Sequence, residues 1–352
     1  MINKFLWRLS AATTFLCAPV AGLTAAVSPS AQPAQLCLQG TFIQLLNENG
    51  GWDKATWNAL FESFHKLQLQ HLVIQWTVYD QTAFYASHRF NTVPATPLET
   101  ILALADRAGM QVMIGLSHDP NYWTRIEKKD KRSYLVEERL SRNIAVAAEL
   151  LPQVSMHKSF AGWYISEEID DINWQKPEDR DTLFSYLKQL STFLRTSRPD
   201  VKIGLSGFAG TRTPPSEVQQ LWEQLLRRAG AIDIVYFQDG IGVGKLDLNT
   251  LGSYYRAIET ATNTTGRKLV PVIEAFEQIS DPQMSNGKFV AAPSSIDRLT
   301  RQIGIAQQYA GRWITFGVPE YLTPSGGERA QKVYGEYLQR MQTAGVRCAP
   351  GN

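Results

Sequence analysis

A short apolar segment, a polar loop and an amphipathic helix follow one another eight times along this chain, and no other feature restricts its fold as strongly. The expected strands are Thr41–Gln44, His71–Val78, Gln111–Ser117, Phe160–Glu167, Val201–Gly207, Asp233–Gln238, Lys268–Ala275 and Arg312–Val318. They are rich in Val, Ile and aromatic residues without a long polar break, as expected of strands covered by helices on both faces. Regular alternation of strand and helix implies right-handed crossovers and a parallel sheet. An open doubly wound sheet would satisfy the same alternation. Eight units, and no phosphate-binding glycine loop after the first strand, favour closure into a single (β/α)8 barrel of the α/β class.

The helices carry matching signals. In the first, Trp57, Leu60, Phe61, Phe64 and Leu67 recur at helical spacing. In the fourth, Pro177 suits a first turn ahead of Leu183, Leu187, Leu190 and Leu194. In the last, Ala330, Val333, Tyr334, Tyr337, Leu338 and Met341 form one stripe, with Ser325 as the expected N-cap. All three stripes read as core packing.

The chain has 352 residues, 44% of them hydrophobic, which is enough for one large core. Its 35 basic and 33 acidic residues nearly cancel. With no basic stripe or charge block, neither nucleic acid nor an anionic membrane surface is an expected partner. Lys4 and Arg8 precede the uncharged run Leu9–Ala26, which Ser, Thr, Pro and Gly interrupt. Residues 1–26 therefore read as a secretory signal peptide rather than a permanent span, residues 27–37 as a linker and residues 38–348 as the barrel. The expected location is periplasmic or secreted. Cys37 and Cys348 stand near the two ends of the mature chain. A closed barrel makes its first strand and last helix neighbours, and export permits the disulfide that would then join them.

In such barrels the active site lies at the C-terminal ends of the strands. Those ends bring Gln44 from the first strand, Gln75, Trp76 and Tyr79 from the second, and His118 from the third. The fourth supplies Trp163, Glu167 and Glu168, and the sixth Tyr236, Gln238 and Asp239. Glu274, with Glu277 beyond it, closes the seventh, and Glu320 and Tyr321 close the eighth. Carboxylates and amides suit sugar hydroxyls, and Trp and Tyr suit the weakly apolar faces of sugar rings. Cleavage of a glycosidic bond needs two carboxyl groups flanking it, one to protonate the leaving oxygen and one to attack carbon or activate water. The fourth and seventh strands lie on opposite sides of an eight-stranded rim, so Glu168 and Glu274 could face each other across a sugar.

Other chemistries lack their patterns. GIGVGK at residues 240–245 has the wrong spacing for a phosphate loop. Five scattered histidines show no metal-ligand spacing, and no GxSxG elbow is present. No cofactor or metal is expected.

WYISEE closing the fourth strand, with a second glutamate closing the seventh, resembles the large clan of retaining (β/α)8 glycoside hydrolases. The segments GTFIQL, GWYISEEID, VYFQDGIG and PVIEAFE are similar to a bacterial family of exported barrel domains, domain-of-unknown-function family 4434, over residues 39–344. The resemblance implies Glu168 as acid/base and Glu274 as nucleophile. Where the clan has asparagine before its acid/base, this chain has Glu167. Adjacent residues of a strand face opposite sides, so only one of Glu167 and Glu168 can be the acid, and the sequence leaves open which. The leading expectation is an exported glycoside hydrolase on a polysaccharide or oligosaccharide. The alternative is a non-catalytic barrel that binds exopolysaccharide or assists its export, and a third, weaker reading is a lyase.

Overall fold

A computed structural model describes residues 36–128, 130–280 and 289–348. The expected signal peptide and most of the linker lie outside the described residues. Eight parallel strands form the barrel: β1 (Gly40–Ile43), β2 (His71–Ile74), β3 (Gln111–Gly115), β4 (Phe160–Ile169), β5 (Lys202–Gly207), β6 (Ile234–Gln238), β7 (Lys268–Glu274) and β8 (Ile314–Phe316). Each neighbours the next in sequence, and the ring shuts where Thr41 of β1 pairs with Thr315 of β8. The long helices that follow are α1 (Lys54–Lys66), α2 (Pro97–Ala108), α3 (Leu140–Val154), α4 (Pro177–Ser197), α5 (Pro215–Arg228), α6 (Leu251–Thr265), α7 (Ile296–Ala306) and α8 (Glu328–Thr343). The fold is a single (β/α)8 barrel.

Strand periodicity separates two cores. Residues facing outward, among them Ile74, Trp163, Ile165, Val235, Phe237 and Ile273, pack under the helices. The alternate set, including Phe42, Val73, Met113, Tyr164, Tyr236 and Val272, fills the barrel itself. The rings of Phe42, Tyr164 and Tyr236 meet edge to face with centroids 5.5–5.9 Å apart and plug the interior. The barrel is thus a packed core with an open end, not a pore.

Several boundaries differ from the expected ones. β2 stops at Ile74, because Val78–Tyr79 leaves the barrel and joins Thr82–Ala83, Asn91–Thr92 and Ser117–His118 in a small sheet on the rim. β8 ends at Phe316, because Gly317 turns with φ 83° into a short helix over Val318–Tyr321. Ser325 does not cap the last helix; it lies in a 3-10 turn, and α8 begins after Gly327. Pro177 does open α4, whose four named leucines are all buried.

Cys37 and Cys348 are joined by a disulfide, with Cα atoms 5.6 Å apart. It ties the segment leading into β1 to the residues that follow α8, where barrel closure brings the two ends of the domain together. Among the described residues no helix is long and apolar enough to cross a membrane.

Candidate active site

The two-residue strand period continues past the interior plug and decides which side chains reach the open end. Two positions beyond Phe42, Val73, Tyr236 and Val272 stand Gln44, Gln75, Gln238 and Glu274; on β4 the series runs Tyr164, Ser166, Glu168. All of these later residues line one cavity of about 800 Å³, a size suited to a small-molecule or oligosaccharide ligand.

Glu168 sits at the centre of an amide relay. Its Oε1 accepts hydrogen bonds from Gln238 Nε2 at 2.7 Å and Gln75 Nε2 at 3.1 Å, and Gln75 Oε1 accepts from Gln44 Nε2 at 2.8 Å. Tyr122 donates its hydroxyl to the Glu168 carbonyl at 2.8 Å and fixes the strand end. Burial raises the Glu168 pKa, while the Gln238 hydrogen bond and the charge of Lys245 oppose the shift.

Glu274 approaches from β7. Its Oε2 accepts the backbone N–H of Val243 at 3.2 Å. A Cβ on Gly242 would lie 2.9 Å from that oxygen and 2.3 Å from the Phe276 carbonyl, so this close approach requires glycine. Burial raises the Glu274 pKa most, and the carboxylate of Asp239 adds to it. Asp239 is fully buried behind Glu274: its Oδ1 accepts the Glu274 N–H at 3.3 Å and its Oδ2 accepts from Gln302 Nε2.

Aromatic and imidazole rings complete the walls. His118 stacks on Trp76 with centroids 4.4 Å apart, and Tyr79 stacks behind it at 5.5 Å. Burial, followed by the charge of Arg139, pulls the His118 pKa down to about 4, so the ring is neutral at pH 7. Glu320 and Tyr321 reach the cavity from the short helix after β8.

Five expected site residues are placed elsewhere, the first being Tyr79, which stands behind His118 in the rim sheet and does not line the cavity. Glu167 points outward from β4 and is 3% exposed. Its Oε1 accepts from Arg139 Nη2 at 2.7 Å and its Oε2 from the Tyr186 hydroxyl at 2.7 Å, so it is committed to a buried ion pair behind the strand. Trp163 shares that outward face. Tyr236 belongs to the plug beneath the cavity, and Asp239 stands one layer behind Glu274. Strand parity explains Glu167, Trp163 and Asp239, each an odd number of positions from a cavity residue of its strand, whereas Tyr236 shares the cavity parity but lies one period too deep. Of the acidic run at residues 167–171, Glu168 alone lines the cavity; Asp170 caps a turn by accepting the N–H groups of Ile172 and Asn173.

Several lining residues come from loops, outside any strand period. Tyr122 and Trp123 follow β3, Phe208 follows β5, and Lys245 ends the glycine-rich segment after β6. The Tyr-Trp pair just past a strand end was the one available signal.

Solved structures of similar shape include proteins named for action on sugars. A Bacteroides thetaiotaomicron VPI-5482 protein named for a proposed alpha-L-fucosidase activity superposes with TM-score 0.74 at 18% identity, covering 93% of this chain and 99% of that one. The catalytic domain of a beta-amylase from Paenibacillus polymyxa matches with TM-score 0.53 at 8% identity, over 89% of this chain and 100% of the other. At such identities the likeness is one of fold, and that fold is glycosidase-like. In sequence, the uncharacterized protein YbcH of Escherichia coli strain K12 is 28% identical over 229 residues, 64% of this chain and 72% of that protein. The model of the family described as "Domain of unknown function (DUF4434)" matches residues 38–327, and the chain belongs to that family.

Proposed function

We propose that the protein is a glycoside hydrolase that cleaves a polysaccharide or oligosaccharide with Glu168 and Glu274. One observation carries the reading: carboxyl groups from β4 and β7 enter the same cavity, amid amides and aromatic rings. The resemblance assigns Glu168 as acid/base, Glu274 as nucleophile and retention as the outcome, which needs carboxyl groups about 5–5.5 Å apart. The alternative is the opposite proton order, with Glu274 as the acid. Burial raises both pKa values; two amide donors and Lys245 oppose the rise at Glu168, whereas the charge of Asp239 adds to it at Glu274. Export to an oxidising compartment belongs to the same proposal and fits the Cys37–Cys348 disulfide.

The test is incubation of the purified protein with a panel of bacterial and plant polysaccharides. Released oligosaccharides are sought by chromatography, and the first-formed anomer is read by NMR. Release with retention is expected. Binding without release from any member would favour the non-catalytic alternative, and unsaturated products would favour the lyase.

The pH profile separates the two proton orders. Asp239→Asn removes a negative charge beside Glu274 and lowers its pKa. The kcat/KM limb governed by Glu274 then moves to lower pH: the acid limb if Glu274 works ionised, the basic limb if it works protonated. A profile unchanged in both limbs would show that Asp239 exerts no control over the pair.

A further inference from the structure

Lys245 lines the cavity and, His118 aside, is its one basic side chain among the described lining residues. The glycine-rich turn builds this placement: the Lys245 N–H bonds back to the Gly240 carbonyl at 2.8 Å, and Gly240 and Gly244 take φ of 62° and 67°. Four carboxylates, those of Glu168, Asp170, Asp171 and Glu274, lie near enough to be felt by its charge. None of them approaches to ion-pair distance, although Lys131 elsewhere contacts Asp179 at 2.7 Å. The ammonium instead lies 3.5 Å from the ring centroid of Phe208, itself packed 5.5 Å from Trp123. Among the described residues it donates no hydrogen bond, and its N–H groups remain available to a ligand. Neutralising the catalytic pair alone would be served better by direct contact, since the attraction weakens with distance.

We infer that Lys245, seated on Phe208, forms with the half-buried ring of Trp123 a subsite for a carboxylate-bearing sugar, a uronic acid residue being the simplest. The inference rests on the glycosidase reading and narrows its substrate class. The ammonium takes the sugar carboxylate in a charge-assisted hydrogen bond, and the Trp123 ring takes the apolar face of the sugar. Lys245, Glu168 and Glu274 line the same cavity, so this subsite adjoins the bond to be cleaved.

Calorimetric titration tests it with oligogalacturonate and oligoglucuronate, their methyl esters, and neutral and amino-sugar oligosaccharides. Wild type, Lys245→Met and Lys245→Arg are compared, with thermal melts to verify folding. The free acids should bind about 10- to 100-fold more tightly than their esters. Lys245→Met should erase that difference, and Lys245→Arg should keep part of it. Equal binding of acid and ester, a preference for amino sugars, or an acid preference that survives in Lys245→Met would overturn the subsite and leave the glycosidase reading standing. No binding of any carbohydrate would remove both.

Discussion

Glu168→Gln and Glu274→Gln should each lower turnover on the responsive polysaccharide by about 10²- to 10⁴-fold, the usual contribution of a positioned acid or base. Glutamine keeps the size of the side chain and one acceptor oxygen but can neither give a proton nor attack carbon. Stability should move the other way for Glu274. Its folded pKa is raised above the ordinary 4.5, so its contribution is fully present below the unfolded pKa and is lost as pH rises through the folded value. The glutamine variant carries no such charge. Its melting temperature should match wild type near pH 4 and exceed it increasingly as the solution becomes neutral and then basic. Melts and rates measured on the same preparations check both halves. A variant of either residue with undiminished turnover would remove it from the chemistry.

Arg139→Met should destabilise the fold by about 3–5 kcal/mol, the usual consequence of stripping one partner from a buried ion pair. Arg139 and Glu167 are 2% and 3% exposed, so water cannot compensate the stranded carboxylate. The guanidinium also donates from Nη2 to the Ser117 carbonyl at 2.7 Å, tying the residues after β3 to β4. Asn143 and Tyr186 complete the cage around Glu167 from α3 and α4. Glu167→Gln added to Arg139→Met should recover much of the loss, because the stranded charge disappears while Asn143 and Tyr186 still bond the amide. Denaturant unfolding of the single and double variants measures this. A single variant as stable as wild type would mean that the pair contributes nothing net.

This ion pair also bears on how the site reads from sequence. Glu167 and Glu168 are equally acidic neighbours in a strand apolar on both faces, and parity established only that they diverge. Hydrophobic pattern cannot orient such a strand, because helix-facing and barrel-facing positions are alike in composition. The outward partner, Arg139, lies 28 residues away on a π-helical turn, Ser133–Arg139, that no periodicity announces. An irregularity in the β4–β5 pairing between Ile165 and Ile169 falls across the same two residues, and such bulges re-aim side chains.

The order of strands, the helical faces and the rim positions of Gln44, Gln75, Gln238, Glu168 and Glu274 were written in the sequence. All depend on short-range periods, 2 for a strand and 3.6 for a helix. Closure of the ring made Cys37 and Cys348 neighbours, which the sequence could express only by assuming that ring. Tertiary structure alone settled which glutamate of β4 enters the cavity and sent Tyr236 and Asp239 to neighbouring layers. It also brought Lys245, Phe208 and Trp123 together, because loops carry no period and their side chains meet only once the strands that bear them have been placed.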